Sequence, residues 1–277
     1  MTAKRIPEWL AVHEEDGVPR FRLGRLEEDI VAEWCGLATL VARRSGDWHE
    51  LRFSEEAKPA ERRKLERGGV KLLLRQLNGK LALHASAVEL AGRALVLAGP
   101  SGRGKSTLAA ALCKHGAKLV ADDAVAIDLV DGSAFVTATE SEHWLDPASL
   151  RALQLVTDAD EGTKTPVAAP SVSGERTIPV AGIVALSWCE SSSNERESVT
   201  RLTSASGVEA FGCLLPNIVR FVLDDAGLLR RELDGLQALV ASVPVHVLER
   251  PRDFEQLPAV VDMLATMCLK EARNHGD

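Results

Sequence analysis

The sequence predicts a mixed α/β protein that begins with a small β-rich segment. Two observations predict this class. Short apolar runs alternate with helical patterns beyond residue 80, and the glycine-rich stretch GPSGRGKST, residues 99–107, lies between one such run and a helix. Because 277 residues suffice for one large or two small domains, we expect a β-rich and helical N-terminal segment over 1–79 and a larger domain over 80–277.

The first 53 residues favour short strands. PRFRLG, residues 19–24, predicts one of them. DIVAEWCGLATLVARR, residues 29–44, mixes apolar and polar side chains in a pattern that fits either strands or a helix.

Residues 54–80 have the pattern of a helix. Ser54 is expected to cap its start, and Asn78-Gly79 is expected to end it. The Gly68-Gly69 pair interrupts the pattern, so two shorter helices are the alternative.

Beyond Gly79 the chain is expected to form a strand over 81–90, a tight turn at Gly92-Arg93 and a second strand over 94–99. Residues 157–178 are rich in turn formers and predict a long loop, and residues 189–207 predict a polar, exposed excursion. The remaining expected elements are helices over 105–116, 146–156, 228–243 and 257–272 and strands over 117–123, 124–130, 178–188 and 243–250.

The stretch at 99–107 matches the phosphate-binding pattern G-x-x-x-x-G-K-S/T, and we call it the P-loop. Its glycines allow a tight turn that directs several N–H groups at one anion, and the helix that follows adds its positive dipole end. Lys105 is expected to reach the β- and γ-phosphates, and Ser106 to bind Mg²⁺. The residues predicted to bind the nucleotide are Ser101, Gly102, Arg103, Gly104, Lys105, Ser106 and Thr107.

Two further features accompany the P-loop. LVADD places Asp122 and Asp123 17 and 18 residues after Lys105, at the end of a strand expected beside the P-loop strand. One carboxylate is then expected to face the metal and the other an incoming hydroxyl. His84 lies on a strand of otherwise small and apolar residues, where a histidine is either a core residue or part of a site.

Residues 83–128 resemble the core of the HPr kinase/phosphorylase superfamily, which joins a histidine strand, a P-loop, a helix and a strand ending ADD in this order. The tail VPVHVLERPRDFEQLPAVVDML, residues 243–264, resembles the C-terminus of short HPr kinase-like proteins. Some of those phosphorylate a serine on a ribosomally made peptide precursor, such as that of a lasso peptide.

The resemblance implies a P-loop kinase core of the type shared with phosphoenolpyruvate carboxykinase, and transfer of the γ-phosphoryl group of ATP to a serine hydroxyl. It implies that Asp123 is the general base and Asp122 its metal-side partner, although these two roles could be exchanged. It also implies that His84 assists catalysis beside the aspartates. ATP and Mg²⁺ are the implied cofactors, and the acceptor is a protein or peptide.

The sequence departs from the long HPr kinases in several places. It has no recognisable counterpart of their metal-binding glutamate and of the signature tied to the phosphorylase reaction; Glu140 and Glu142 occupy the approximate place. The family also uses a cationic side chain from further along the chain, which contacts the phosphates and which we call the later cation. Lys164 and Arg176 are the candidates for it here. The sequence therefore gives no support for the reverse reaction and leaves its existence open.

Composition excludes several other classes of function. The net charge of −7 is opposite to that of a typical nucleic-acid-binding domain. No apolar run approaches the length of a membrane span, and the start of the sequence has no apolar signal-peptide region. The five scattered cysteines indicate reduced thiols. We therefore expect a cytoplasmic protein that binds neither nucleic acid nor membrane. The resemblance to the HPr kinase family implies a homo-oligomer as a possible assembly.

The sequence leaves two other functions open. A small-molecule kinase would use the same P-loop, since no residue identifies the acceptor. A non-catalytic regulator would bind ATP or GTP and would transfer no phosphate.

Overall fold

The computed structural model of the chain describes residues 7–155, 164–174, 176–189 and 200–274. It divides into two compact units. The first comprises Met1–Lys80 with Arg220–Leu233, and the second Leu81–Val219 with Asp234–Asp277. The division into 1–79 and 80–277 remains a proposal, because the first unit also includes a segment from late in the chain.

The first unit contains a five-stranded antiparallel sheet in which each strand pairs with the next along the chain. Residues 29–44, which fitted strands or a helix, form two of these strands, joined by a turn in which Gly36 has a positive φ of 78°. The strands are β1 (Glu8–Glu15), β2 (Val18–Leu26), β3 (Asp29–Trp34), β4 (Ala38–Arg43) and β5 (His49–Phe53).

The helical part of this unit consists of α1 (Pro59–Leu65) and α2 (Lys71–Leu77), joined by one π-helical turn, Glu66–Val70, that contains Gly68-Gly69. The expected end at Asn78-Gly79 is confirmed.

The expected cap at Ser54 is wrong. Ser54 Oγ instead donates a hydrogen bond to the Gly36 carbonyl. The helix begins at Pro59, whose ring suits the first helical position, and the Glu61 carboxylate accepts a bond from the N–H of Lys58.

The second unit is built on a nine-stranded mixed sheet with the order β6-β10-β11-β14-β8-β7-β9, to which β16 is added beside β14 and β15 beside β16. A separate antiparallel pair joins β12 to β13. The strands are β6 (Ala82–Leu83), β7 (Ala85–Leu90), β8 (Arg93–Ala98), β9 (Lys118–Ala121), β10 (Val125–Val130), β11 (Ser133–Thr137), β12 (Glu142–Leu145), β13 (Thr165–Ala168), β14 (Thr177–Trp188), β15 (Arg201–Ala205) and β16 (Val245–Arg250).

Helices cover both faces of this sheet. Along β8 the side chains of Leu95 and Leu97 belong to one core cluster and those of Val96 and Ala98 to the other, as the alternation of a strand requires. The helices are α3 (Lys105–Lys114), α4 (Pro147–Ala152), α5 (Gly207–Leu214), α6 (Ala226–Ser242) and α7 (Leu257–Asn274). Residues of α3, α4 and α7 pack in the first cluster, and residues of α5 and α6 pack in the second. The predicted mixed α/β class is therefore confirmed.

Several local expectations are confirmed within this unit. β7 and β8 form the predicted hairpin, although its two-residue turn is Ala91-Gly92, one residue earlier than expected. The cap of α4 is Asp146, whose carboxylate accepts a hydrogen bond of 2.8 Å from the N–H of Ser149.

Two expectations are wrong or incomplete. The long loop predicted over 157–178 contains β13, and the polar excursion predicted over 189–207 contains β15; residues 156–163, 175 and 190–199 lie outside the described residues. α5 was not expected from the sequence.

Among the described residues, every helix is too short or too polar to cross a bilayer.

Candidate active site

The P-loop connects β8 to α3. Gly102 and Gly104 have φ values of 77° and 80°, a left-handed conformation that glycine adopts without steric cost. Gly104 immediately precedes Lys105, the first residue of α3. In loops with this glycine conformation before a helix, the backbone N–H groups of the turn and of the first helical turn bind phosphate.

Lys105 is turned back onto its own loop. Its Nζ donates hydrogen bonds to the carbonyls of Gly99 and Pro100, at 2.7 and 3.1 Å, and the residue is buried. Burial, which disfavours the charged form, lowers the pKa of Lys105 to about 8. A bound polyphosphate offers this ammonium group a better partner than neutral carbonyls do.

Asp122 is buried beside the start of α3 and is held by four hydrogen bonds. Its Oδ1 accepts from Ser86 Oγ at 2.5 Å, Ser106 Oγ at 2.9 Å and the Asp123 N–H at 3.1 Å. Its Oδ2 accepts from the N–H of Trp144 at 3.3 Å. The carboxylate is thereby fixed next to the P-loop serine.

The hydroxyl of Ser106 and the carboxylate of Asp122 fit a magnesium ion. A serine hydroxyl and a carboxylate are oxygen ligands, which Mg²⁺ prefers, and it commonly uses one or two such protein ligands together with substrate phosphates. Among the described residues no cluster of three or more His, Cys, Asp or Glu side chains forms a metal cage. Ser106 and Asp122 supply two oxygen ligands side by side, and a pair of this kind suits a metal that arrives with a nucleotide.

Asp123 has the opposite environment. β9 ends at Ala121, so the two aspartates follow the strand, and Asp123 has a φ of 72°, in the left-handed region that few non-glycine residues adopt. Its side chain is 86% exposed, and its Oδ1 lies 3.9 Å from His84 Nε2. Such backbone strain is concentrated at functional sites.

His84 lies between β6 and β7, where its N–H donates to the carbonyl of Asn217 at 2.6 Å. Burial is the main cause that lowers the pKa of its imidazole, and the Lys105 charge lowers it further. The imidazole is therefore neutral at neutral pH and able to accept a proton.

A cavity of about 560 Å³ brings these groups together. Its lining includes His84, Asp123 and every residue predicted to bind the nucleotide except Arg103. Asp122 contacts the cavity through Ser106. The predicted site residues are thus gathered in one place, although their roles remain proposals.

The structure separates the candidates for the later cation. Lys164 lines the cavity, whereas Arg176 lies 2.6 Å from Glu89 in an ion pair and is not among the described residues of the lining. Glu140 and Glu142 are likewise absent from the described lining.

Sequence reasoning missed three residues near the site. Trp188 and Arg250 line the cavity from the ends of β14 and β16, and His143 is buried with its Nδ1 4.0 Å from Asp122 Oδ2. Burial lowers the pKa of His143, which favours its neutral form. The only signal for Trp188 and Arg250 was their place as the last residues of two expected strands.

The low pKa of Lys105 predicts a proton uptake that accompanies nucleotide binding. At pH 8, close to this pKa, part of the Lys105 population is neutral in the free protein, and bound phosphate raises the pKa, so binding takes up a fraction of a proton per chain. Calorimetry of Mg-ATP binding in buffers of different ionisation enthalpy measures this number. We expect it to disappear at pH 6.5 and in Lys105→Arg, since a guanidinium stays protonated. An equal uptake in wild type and Lys105→Arg at pH 8 would contradict this assignment.

Comparisons with known proteins agree with the resemblance drawn from residues 83–128. The family model described as HPr Serine kinase C-terminal domain matches residues 75–155. The HPr kinase/phosphorylases of two strains of Treponema pallidum, one of them strain Nichols, are each 43% identical to this chain over 56 residues, which is 20% of this chain and 18% of each relative. The resemblance to the HPr kinase superfamily is therefore confirmed.

The two sequence matches cover a limited part of each protein. The chain spans about a fifth of the length of the curated relatives that it matches. A solved structure, the Hpr(Ser) kinase/phosphatase from Coxiella burnetii, is 12% identical to this chain, with a TM-score of 0.37, and the match covers 68% of this chain and 97% of that one.

Proposed function

We propose that this chain is a Mg-ATP-dependent serine kinase with a P-loop core of the HPr kinase and phosphoenolpyruvate carboxykinase type. It transfers the γ-phosphoryl group of ATP to a hydroxyl of a protein or of a ribosomally made peptide precursor. The observation that carries this proposal is the cavity itself. One concave site is lined by the P-loop and by the exposed Asp123 beside the neutral His84, and its Ser106 is hydrogen-bonded to Asp122 in a pair suited to Mg²⁺.

The P-loop positions the nucleotide. The backbone amides of residues 101–106 bind the β- and γ-phosphates, and Lys105 leaves the carbonyls of Gly99 and Pro100 to contact them. Ser106 and Asp122 hold Mg²⁺, which neutralises charge on the phosphates when it is bound. Because phosphoryl transfer depends mainly on positioning and on charge neutralisation, this set of groups is sufficient.

Asp123 is the general base. Its carboxylate accepts the proton of the attacking hydroxyl as that oxygen bonds to the γ-phosphorus, and the bond from the γ-phosphorus to the bridging oxygen breaks to leave ADP. The neutral imidazole of His84, 3.9 Å from Asp123, is placed to share that proton. The contrast between a buried, fully hydrogen-bonded Asp122 and an exposed Asp123 supports this division of roles over the exchanged one.

The exposure of Asp123 also favours a large acceptor. A side chain that is 86% exposed can be approached by a serine on the surface of a protein or on an extended peptide, without enclosure of the whole acceptor. Lys164, on the cavity wall, is the proposed later cation.

Two further proposals concern the cellular setting. The cysteines at positions 35, 113, 213 and 268 form no disulfide bond among the described residues, which supports the expected reducing environment of the cytoplasm. Homo-oligomeric assembly remains a proposal drawn from the resemblance alone.

Mass spectrometry of the acceptor tests the function. Small proteins and peptides encoded beside this gene are incubated with the purified chain and Mg-ATP, with Asp123→Asn as the matched inactive control. We expect one acceptor to gain the mass of a phosphoryl group on a serine, with wild type only. Phosphate from labelled ATP found on a metabolite would favour the small-molecule kinase. Nucleotide binding without transfer to any acceptor would favour the regulator.

A further inference from the structure

Three neighbouring parallel strands have their carboxyl ends on the P-loop side of the sheet. β14 is parallel to β8, with Ala185 opposite Ala98, and also parallel to β16. β14 and β16 continue beyond the end of β8, and their last residues, Trp188 and Arg250, are partners in register. Ligands of α/β proteins bind at the carboxyl ends of parallel strands, and these two side chains line the cavity there.

Arg250 is a buried cation to which the described residues supply no ion-pair partner. The residue is only 6% exposed, and its guanidinium lies 4.4 Å from the centroid of the Trp188 ring. The hydrogen bond that its Nη2 donates to the carbonyl of Arg103 is long at 3.4 Å, and within the described parts of the chain its buried Nε has no partner. No carboxylate among the described residues forms an ion pair with it. Burial alone lowers the pKa of Arg250, to about 10.

The guanidinium is also pressed against the phosphate-binding turn. A Cβ added to Gly104 would lie 2.5 Å from Arg250 Nη2, closer than carbon and nitrogen can approach. Gly104 therefore serves two purposes, since it adopts the left-handed turn and leaves room for this side chain.

Burial of the charged Arg250 guanidinium costs free energy unless an anion binds to it. Removal of a guanidinium from water without a carboxylate partner is unfavourable, whereas an apolar side chain of similar length would fill the same space without that cost. Perturbed ionisable groups of this kind are concentrated at functional sites.

We propose that Arg250 is a phosphate-binding residue that contacts the polyphosphate of the nucleotide, and that Trp188 is a positioning residue that holds the guanidinium against the P-loop. The proposal rests on the function proposed above, and it adds to the P-loop a cation supplied by the far end of the chain. Arginine suits this role because its planar donors match phosphate oxygens, and stacking on Trp188 fixes their plane.

The test compares ligand affinity with the stability of the free protein. The variants are Arg250→Met, Arg250→Lys and Trp188→Leu, with Arg201→Met as the control, because Arg201 is an exposed arginine on β15, the strand paired with β16. Calorimetry gives the Kd for Mg-ATP and for inorganic pyrophosphate, and thermal unfolding gives the melting temperature of the free protein and its rise with each ligand.

We expect Arg250→Met to weaken the binding of both ligands about 10- to 100-fold, as the loss of a charge-assisted hydrogen bond implies. The free protein should melt at the wild-type temperature or above it, because an unpaired buried charge has been removed. Arg250→Lys should retain part of the affinity, Trp188→Leu should lose part of it, and Arg201→Met should behave as wild type.

Two outcomes overturn this proposal while the kinase proposal stands. In the first, wild type binds Mg-ATP and Arg250→Met binds it equally well. In the second, Arg250→Met lowers the stability of the free protein by as much free energy as it removes from ligand binding. That result indicates that Arg250 only supports the loop. If Arg250→Met does not fold, the Lys and Leu variants decide by the same comparison. Wild type that binds neither ligand overturns both proposals together.

Discussion

Lys105→Met is expected to abolish measurable phosphoryl transfer, with a loss of at least about 100-fold in rate. The buried ammonium is already beside the P-loop, where it donates to the carbonyl oxygens of Gly99 and Pro100, so it is available to phosphate. Removal of one preorganised charged donor from a developing transition state costs about 100- to 1,000-fold, or roughly 3 to 4 kcal/mol. Methionine keeps the length of the side chain and removes the charge, and initial rates of transfer from labelled ATP measure the effect.

The matched control is Lys118→Met. Lys118 is an exposed residue at the start of β9, so its replacement removes the same charge from the same unit without a change in the cavity. This variant should transfer phosphate at the wild-type rate. Full activity in Lys105→Met would end the proposed role of the P-loop in catalysis, whatever its effect on binding.

Asp123→Asn is expected to lower the rate of transfer about 100- to 10,000-fold while the Kd for Mg-ATP stays within about twofold. A general base contributes this much to proton transfer, and asparagine is nearly isosteric but cannot accept the proton. Because the Asp123 side chain is exposed, its replacement by asparagine should preserve stability. Single-turnover rates and calorimetry separate the two effects.

Asp122→Asn supplies the comparison. Because Asp122 is buried and hydrogen-bonded to Ser86 and Ser106, its replacement should weaken Mg-nucleotide binding and lower the melting temperature as well as the rate. If Asp122→Asn leaves binding intact and loses only transfer, while Asp123→Asn weakens binding, the two roles are exchanged.

The central part of the site was predictable because it is local in sequence. Short connections join the P-loop to the helix after it and that helix to the strand before Asp122. These consecutive elements must therefore lie close in space, and the structure brings them together as expected. His84 was recognisable only through the resemblance, since a lone histidine on an apolar strand does not reveal its neighbours.

The rest depends on contacts between distant parts of the chain. Arg250 is 146 residues after Gly104, and its approach to the P-loop depends on the parallel pairing of β16 with β14, which no short-range pattern specifies. β13 was missed because its residues, TPVA, resemble a loop in isolation and form a strand only through pairing with β12. Ser54 is not the cap because the helix begins only at Pro59, and the Ser54 hydroxyl instead donates to the carbonyl of Gly36, 18 residues earlier in the chain.

The most direct measurement is a calorimetric titration of Mg-ATP into the full chain, repeated with ATP and a chelator of Mg²⁺ and with Asp122→Ala. The arrangement of Lys105, Ser106 and Asp122 predicts one nucleotide bound per chain, with affinity that falls when the metal is removed and falls similarly in the variant. No heat of binding, together with no rise in melting temperature at millimolar Mg-ATP, would contradict a nucleotide site at the P-loop and every role assigned around it.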